Sequence, residues 1–502
     1  MTYLAALAGA GLAVLAFPPF GIWPLVVAGP AIWLGTLRRV AAARHGFGSG
    51  LVFGLAFFGG LIWWLSELGL EAVIPLVVVQ ALFPALFGYV VVKVCRRLPP
   101  TVWWVAVAGL WAAFESTRYR FPVGGFEWGA WGYALSDVSW VRGAARWIGT
   151  SGWTVLVMAA AAGLASYRRR GELAAVAAPI ALVCIGLALG AGAAPLPAGI
   201  ESEVAVVQGS TPCPFFHCEN ERFQTYQQHL ALTRSIPAGG ADLVVWSEGS
   251  TGSNNADPVN NQDVGEAIGA QARRIGAWML VGGDRPVSDT QWINANVVFA
   301  PSGEIVGEYR KRHPVPFGEY IPNRPWFEWI PALDQVPRDM IPGDAAIVIP
   351  LTDYDLGSVI SFEGGFARYA RETAALGADL LVVATNEGSY GTTPASDQFI
   401  GMTRMRSAET GLDLIHAAVT GRSVIVTNGG QLGQSTGLGS IELLTGTVRA
   451  RPDLSTFYVR WGEWVMALAA VSGAVVLLLM SRERPLGAPT RRHVSASDSL
   501  GV

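Results

Sequence analysis

The chain has 502 residues, 51% of them apolar and 15% charged, with a mean hydropathy of +0.37. It is too hydrophobic for one soluble domain and too long for a simple anchor, so a membrane protein with a sizeable water-soluble part is expected. A formal charge of -3, with acidic and basic residues mixed along the chain, offers no basic field of the kind nucleic acid requires, and no nucleic-acid partner is expected.

Apolar runs of about membrane-spanning length fill the first part of the chain, broken by short polar or Pro/Gly punctuation. They predict spans near Tyr3 to Phe17, Trp23 to Leu37, Leu51 to Leu68, Val73 to Val94, Val102 to Phe114, Trp147 to Ala165 and Leu173 to Ala193, with an eighth near Trp464 to Met480. The first run lacks a positively charged n-region and is closely followed by further spans, so a cleaved signal peptide is not expected. Arg38, Arg39 and Arg44 follow the second span, Lys93, Arg96 and Arg97 the fourth, Arg168 to Arg170 the sixth, and Arg482 and Arg484 the eighth. These mark cytoplasmic ends. The loops after spans one and three carry no Lys or Arg, whereas the longer loop after span five has Arg118, Arg120, Arg142 and Arg146. Both termini are then cytoplasmic and the block between spans seven and eight is extracytoplasmic. The expected division is a membrane domain over residues 1–199, a soluble domain over 200–458, a C-terminal span over 459–482 and a disordered tail over 483–502.

The soluble block alternates short β-branched runs with helical patterns and reads as an α/β domain. Strands are predicted at Glu203 to Val207, Asp242 to Trp246, Trp278 to Val281, Gly357 to Ile360 and Asp379 to Val383, and a hairpin from Asn294 to Tyr309 around Pro301-Ser302-Gly303. Helices are predicted from about Glu219 to Thr233, Gly265 to Ile275, Phe366 to Leu376 and Gln398 to Thr410. Of the four cysteines, Cys95 and Cys184 lie in apolar runs and read as small buried hydrophobes. The spacing of Cys213 and Cys218, with His217 between them, permits a local disulfide or part of a metal site, although zinc needs four ligands.

Three polar signals follow predicted strands, where α/β sheets place reactive groups. Glu248, in Trp246-Ser247-Glu248-Gly249, is a candidate general base or a loop cap. Lys311 and Glu319 lie in a proline-stiffened loop from Tyr309 to Pro322. Among 35 basic residues only Lys93 and Lys311 are lysine, which points to a need for a compact ammonium at position 311. Finally, Val359-Ile360-Ser361-Phe362-Glu363-Gly364-Gly365 carries a strand into a turn and then a helix, a geometry that exposes a nucleophile and aims backbone N–H groups at an oxyanion. A serine in such a turn is also a common cap.

Together these segments resemble the apolipoprotein N-acyltransferases, a bacterial membrane branch of the nitrilase superfamily. The matching stretches are Leu15 to Gly21, the Glu248 loop, Lys311 through Pro322, the Glu363 turn, Asn386 followed by Tyr390-Gly391, and Met402 to Glu409. The resemblance implies an αββα sandwich with a Glu–Lys–Cys triad. In that family the cysteine takes an acyl chain from a phospholipid and passes it to the α-amino group of a diacylglyceryl-cysteine at a lipoprotein N-terminus. Carried over, Glu248 is the base, Lys311 the oxyanion-stabilising cation, and Glu319 and Glu363 the supporting acids. Phe362, Asn386, Tyr390 and Trp326 are expected to line the substrate site, with Trp326 in an apolar segment, Pro325 to Ile330, that reads as a bilayer-touching lid or as an ordinary buried loop. A monomer in the bacterial plasma membrane is expected, with no metal or dissociable cofactor.

Ser361 departs from the family by standing where the cysteine belongs. Serine lacks the intrinsic nucleophilicity of a thiolate and depends on a well-placed base. Two function classes therefore compete: an acyltransferase working through Ser361, and a catalytically silent paralogue that binds lipoprotein or lipid or partners an active enzyme. An amidase acting on small C–N substrates leaves the eight spans unexplained. Cys213 or Cys218 as a substitute nucleophile lacks the strand-to-helix turn.

Overall fold

The computed structural model describes residues 1–167, 173–213, 218–252, 256–327 and 329–482. The expectations attached to Arg168 to Arg170, His217, Glu328, Arg484 and the tail over 483–502 lie outside the described residues. Helices form at every predicted span: α1 (Thr2–Val14), α2 (Leu25–Leu37), α3 (Ala43–Leu61), α4 (Leu70–Val90, continued by a π-turn, Val91–Cys95), α5 (Pro100–Arg118), α6 (Ser139–Ser166) and α7 (Leu173–Ala191) precede the soluble block. Four of the described helical stretches, the last of them at the C-terminus, are long and apolar enough to cross a membrane: Leu70–Cys95, Ser139–Ser166, Leu173–Ala191 and Trp464–Ser481. Small residues let α3 and α4 touch backbone to backbone, since a Cβ at Gly50 would lie 2.1 Å from the Pro84 carbonyl oxygen.

The soluble block is a sandwich of two sheets. Its strands are β1 (Ile200–Gln208), β2 (Leu243–Trp246), β3 (Trp278–Pro286), β4 (Gln291–Phe299), β5 (Ile305–Arg310), β6 (Asp339–Met340), β7 (Val348–Pro350), β8 (Asp355–Ile360), β9 (Leu380–Thr385), β10 (Leu414–Ala418), β11 (Val424–Thr427), β12 (Gln431–Ser435) and β13 (Glu442–Ala450). One sheet runs β13-β1-β2-β3-β4-β5, with β6 beside β4, and the other β12-β11-β10-β9-β8-β7. Period-two alternation makes the layers: Val204 and Val206 of β1 meet Val382 and Ile415 of the opposite sheet, while Ala205 and Val207 face the helices α8 (Glu221–Thr233) and α9 (Gln262–Ile275). Every predicted strand, hairpin and helix of this block is present within a few residues. Strands β6, β7 and β10 to β13 were not predicted.

The second helix layer, α10 (Ala367–Ala375) and α11 (Ala395–Thr410), covers the outer face of the second sheet and continues without interruption into the membrane helices as one apolar core. A short α12 (Phe457–Trp461) then leads into α13 (Trp464–Arg482). Apart from Asp397, every residue of α11 is buried, because sheet lies on one side and α6 on the other. Its polar side chains tie the two parts together. Gln398 accepts from Trp128 Nε1 at 2.7 Å and donates to the carbonyls of Pro18 and Leu61, at 3.2 and 3.3 Å. At Gly149 (φ +66°) α6 breaks, and the Thr150 N–H freed there donates to Glu409 at 2.7 Å. Arg406 lies 3.1 Å from Glu409 and 3.8 Å from Glu127, which itself accepts the first N–H of α10 at 3.1 Å.

Removing one partner from a buried ion pair leaves its charge uncompensated, at a cost of about 3–5 kcal/mol. Arg406→Met is therefore expected to lower the thermal unfolding midpoint of the detergent-solubilised protein well below that of the wild type. Equal midpoints would contradict this role for Arg406.

Candidate active site

The ends of β2, β5 and β8 deliver Glu248, Lys311 and Ser361. Lys311 is buried, and its Nζ lies 2.6 Å from Glu319 Oε1 and 3.2 Å from Glu248 Oε1. Burial alone would pull the ammonium down, but Glu248 and Glu319 outweigh it and hold Lys311 above the ordinary lysine value. Glu319 moves up, chiefly through burial and against the pull of Lys311, and its Oε2 accepts the Val315 N–H at 2.7 Å. Glu248 is gripped at both oxygens. Asn294 Nδ2 donates to Oε1 at 2.7 Å and the Asn386 backbone N–H to Oε2 at 2.9 Å. A carboxylate so held cannot rotate away from the ammonium, which suits a fixed proton acceptor.

Ser361 opens a 3₁₀ turn, Ser361–Gly365, at φ +50°, a left-handed conformation that costs a non-glycine residue about 1–3 kcal/mol. The turn is held by Glu363, which is fully buried. Its Oε2 accepts from Ile360 N at 2.8 Å and Tyr309 Oη at 2.7 Å, and its Oε1 accepts from the backbones of Arg312 at 2.6 Å and His313 at 3.0 Å. Glu363 thus welds the serine turn to the two residues after Lys311. Burial pushes its carboxyl above the usual range despite these donors. Ser361 is half-buried, and its Oγ makes no hydrogen bond to a described residue.

Tyr390 lies against the membrane part, its ring 4.7 Å from Trp64 and 6.3 Å from Trp128. Phe362 packs on Phe126, His313 and Phe366, with ring centroids 6.1, 5.3 and 4.8 Å away. Glu248, Lys311, Glu319, Asn386 and the Ser361–Glu363 turn are therefore joined in one network, with Phe362 and Tyr390 at its aromatic border. Trp326 stands apart. It is 73% exposed and Trp329 is 78% exposed, so the buried-loop alternative for this segment is incorrect. The sequence reading missed Asn294, Tyr309 and His313. Tyr309, near the end of β5, and His313, in the loop that follows, flank Lys311, and Asn294 lies on the strand paired with β5, which is the signal that could have found them. Cys213 and Cys218 form a disulfide, so neither is a free nucleophile, and among the described residues no group of His, Cys, Asp and Glu could hold a metal ion.

Residues 9–163 match the family model of the apolipoprotein N-acyltransferase N-terminal domain, and residues 203–451 match that of carbon-nitrogen hydrolase. The chain is 29% identical to the apolipoprotein N-acyltransferase of Geobacter metallireducens, with 96% of this chain and 95% of that protein covered. It is 30% identical to that of Mycolicibacterium smegmatis, covering 95% and 84%, and 31% identical to that of Sinorhizobium medicae, covering 84% and 85%.

His313 supplies a pH signature. Burial, then the cations of Arg368 and Lys311, bring its imidazole down to about 3, against about 6.5 in an unfolded chain. The unfolded state therefore takes up the proton first, and this contribution to stability is complete above pH 6.5 and lost as pH falls toward 3. His313→Gln is expected to flatten the decline in urea midpoint between pH 7 and pH 5. Parallel wild-type and variant curves would contradict the assignment.

Proposed function

The chain belongs to the apolipoprotein N-acyltransferase family of acyltransferases, and on that footing we propose that it moves an acyl chain from a membrane phospholipid to the α-amino group of an N-terminal diacylglyceryl-cysteine, through an ester on Ser361. The observation that carries this reading is the buried Lys311 ammonium held between Glu248 and Glu319 beside the Ser361 turn. In the first half-reaction Ser361 Oγ bonds to the donor's ester carbonyl carbon while Glu248 takes the hydroxyl proton. The donor C–O bond breaks, and the proton passes from Glu248 to the departing lysophospholipid oxygen. In the second the acceptor amine attacks the acyl–serine carbonyl, its proton going to Glu248. The Oγ–acyl bond then breaks, an amide forms, and Ser361 recovers its proton. Lys311 offsets the oxyanion charge in both halves.

Both substrates are lipids, which explains a sandwich docked on membrane helices. In this reading the eight helices span the bacterial plasma membrane, both termini are cytoplasmic, and the sandwich of a monomer faces outward. The arginines at alternate span ends support that orientation, and so does the Cys213–Cys218 disulfide, a bond that persists in oxidising compartments. The exposed Trp326 and Trp329 support a lid that dips into the bilayer interface. No cofactor enters the scheme.

The Oγ of Ser361, which makes no hydrogen bond to a described residue, favours the second reading, a silent protein that binds lipoprotein or lipid or partners an active enzyme. Expression in a strain lacking the transferase, followed by mass spectrometry of a lipoprotein N-terminus, separates the two. The transferase reading expects an added acyl chain with the wild type, none with Ser361→Ala, and transfer faster by about tenfold or more with Ser361→Cys, because thiolate is the better nucleophile. Transfer by Ser361→Cys alone would establish the silent reading.

A further inference from the structure

We propose that His416 and Glu387 form a buried positioning pair that aims the Asn386 backbone N–H at Glu248, and so sets the direction of the catalytic base. The proposal rests on the acyl-transfer reading of the site. Among the described residues Asn386 N is the one donor to Glu248 Oε2, whereas Oε1 has both Asn294 and Lys311. The orientation of that peptide therefore decides how the carboxylate is turned.

Asn386 follows β9 directly, and the next residue, Glu387, adopts φ +60°, which a residue with a side chain rarely does without support. The support is internal. The Glu387 side chain is fully buried, and its Oε1 lies 2.9 Å from His416 Nε2, itself fully buried on β10. Thr420 N and Oγ1 donate to the Asn386 carbonyl at 3.3 and 3.1 Å, which steadies the other end of the turn.

The pair is held at both ring nitrogens: His416 Nδ1 lies 3.3 Å from Thr403 Oγ1 and Nε2 lies 2.9 Å from Glu387 Oε1, which binds β10 to the Asn386 turn. The room for Glu387 comes from Gly421, where a Cβ would sit 2.0 Å from Oε2 and 2.9 Å from the Glu387 Cβ. No substrate reaches these groups in the scheme above, so they act through Glu248 alone.

The test uses the full-length protein in detergent, in both the wild-type and the Ser361→Cys backgrounds. His416→Leu and Glu387→Met break the pair, while His416→Gln keeps a side-chain donor. Two readouts are taken: acyl transfer from dioleoyl phosphatidylethanolamine to a synthetic diacylglyceryl-cysteine peptide, and iodoacetamide alkylation of the introduced thiol at position 361, mapped by peptide mass spectrometry. The proposal expects kcat to fall at least about tenfold with KM within twofold in the two breaking variants, because a misaimed base costs rate rather than binding. It also expects alkylation to slow in parallel and His416→Gln to recover most of both. Unchanged kcat and alkylation in folded breaking variants would overturn it, as would a His416→Gln variant as impaired as His416→Leu. If His416→Leu does not fold, Glu387→Met alone decides by the same criteria. If alkylation responds as expected but neither background transfers an acyl chain, the transferase reading fails and the positioning pair stands.

Discussion

The structure depends on one helix that is buried along its whole length apart from Asp397. Helix α11 lies between the second sheet of the sandwich and the membrane helix α6, so each of its polar side chains must find a partner in one or the other. Glu409 takes the N–H released where α6 breaks, Arg406 sits between Glu409 and Glu127, and Gln398 satisfies the carbonyls of Pro18, beyond α1, and Leu61, the last residue of α3. These contacts are directional. They fix the sandwich in one orientation, and that orientation brings Tyr390 onto Trp64 and Trp128 and Phe362 onto Phe126. The candidate site is thus set against the membrane part by buried polar contacts within a shared apolar core.

Within the site the same economy recurs at Lys311. A buried ammonium is costly unless it is paired, and here two carboxylates pair it. Neither carboxylate is spare: Glu319 also holds the Val315 backbone, and Glu248 is held by Asn294 and Asn386. Such an arrangement places a cation and a base at fixed positions before any substrate arrives, which is the preorganisation that acyl transfer exploits. The serine is the least constrained member. Glu363 braces the turn that the serine opens through four hydrogen bonds, from Ile360, Tyr309, Arg312 and His313, while the serine Oγ makes none to a described residue.

Much of this was legible in the sequence, for physical reasons. Strands such as Leu380 to Thr385 are buried on both faces and read as unbroken apolar runs, and the four helical stretches long and apolar enough to cross a membrane read from length and composition. Glu248, Lys311 and Ser361 were visible because each follows a strand. What stayed hidden depends on pairing across long stretches of chain. Strand β13 joins β1 in a register that sets Gly446 against Val204, and the polar β12 is exposed throughout, so neither carries a local signal. The Glu387–His416 and Arg406–Glu127 pairs are invisible for the same reason. Residues 213 and 218 allowed a disulfide or a metal ligand, and only the fold decides between them.

The central claim is that oxygen at residue 361 carries the acyl group. Its most direct test is to incubate the purified wild-type protein with phospholipid in the absence of any acceptor amine, quench it, and map acylated peptides by mass spectrometry. The account predicts a single added acyl chain on the peptide containing Ser361, discharged when a diacylglyceryl-cysteine peptide is supplied. An acyl chain on another residue, or none on a folded protein, would contradict it.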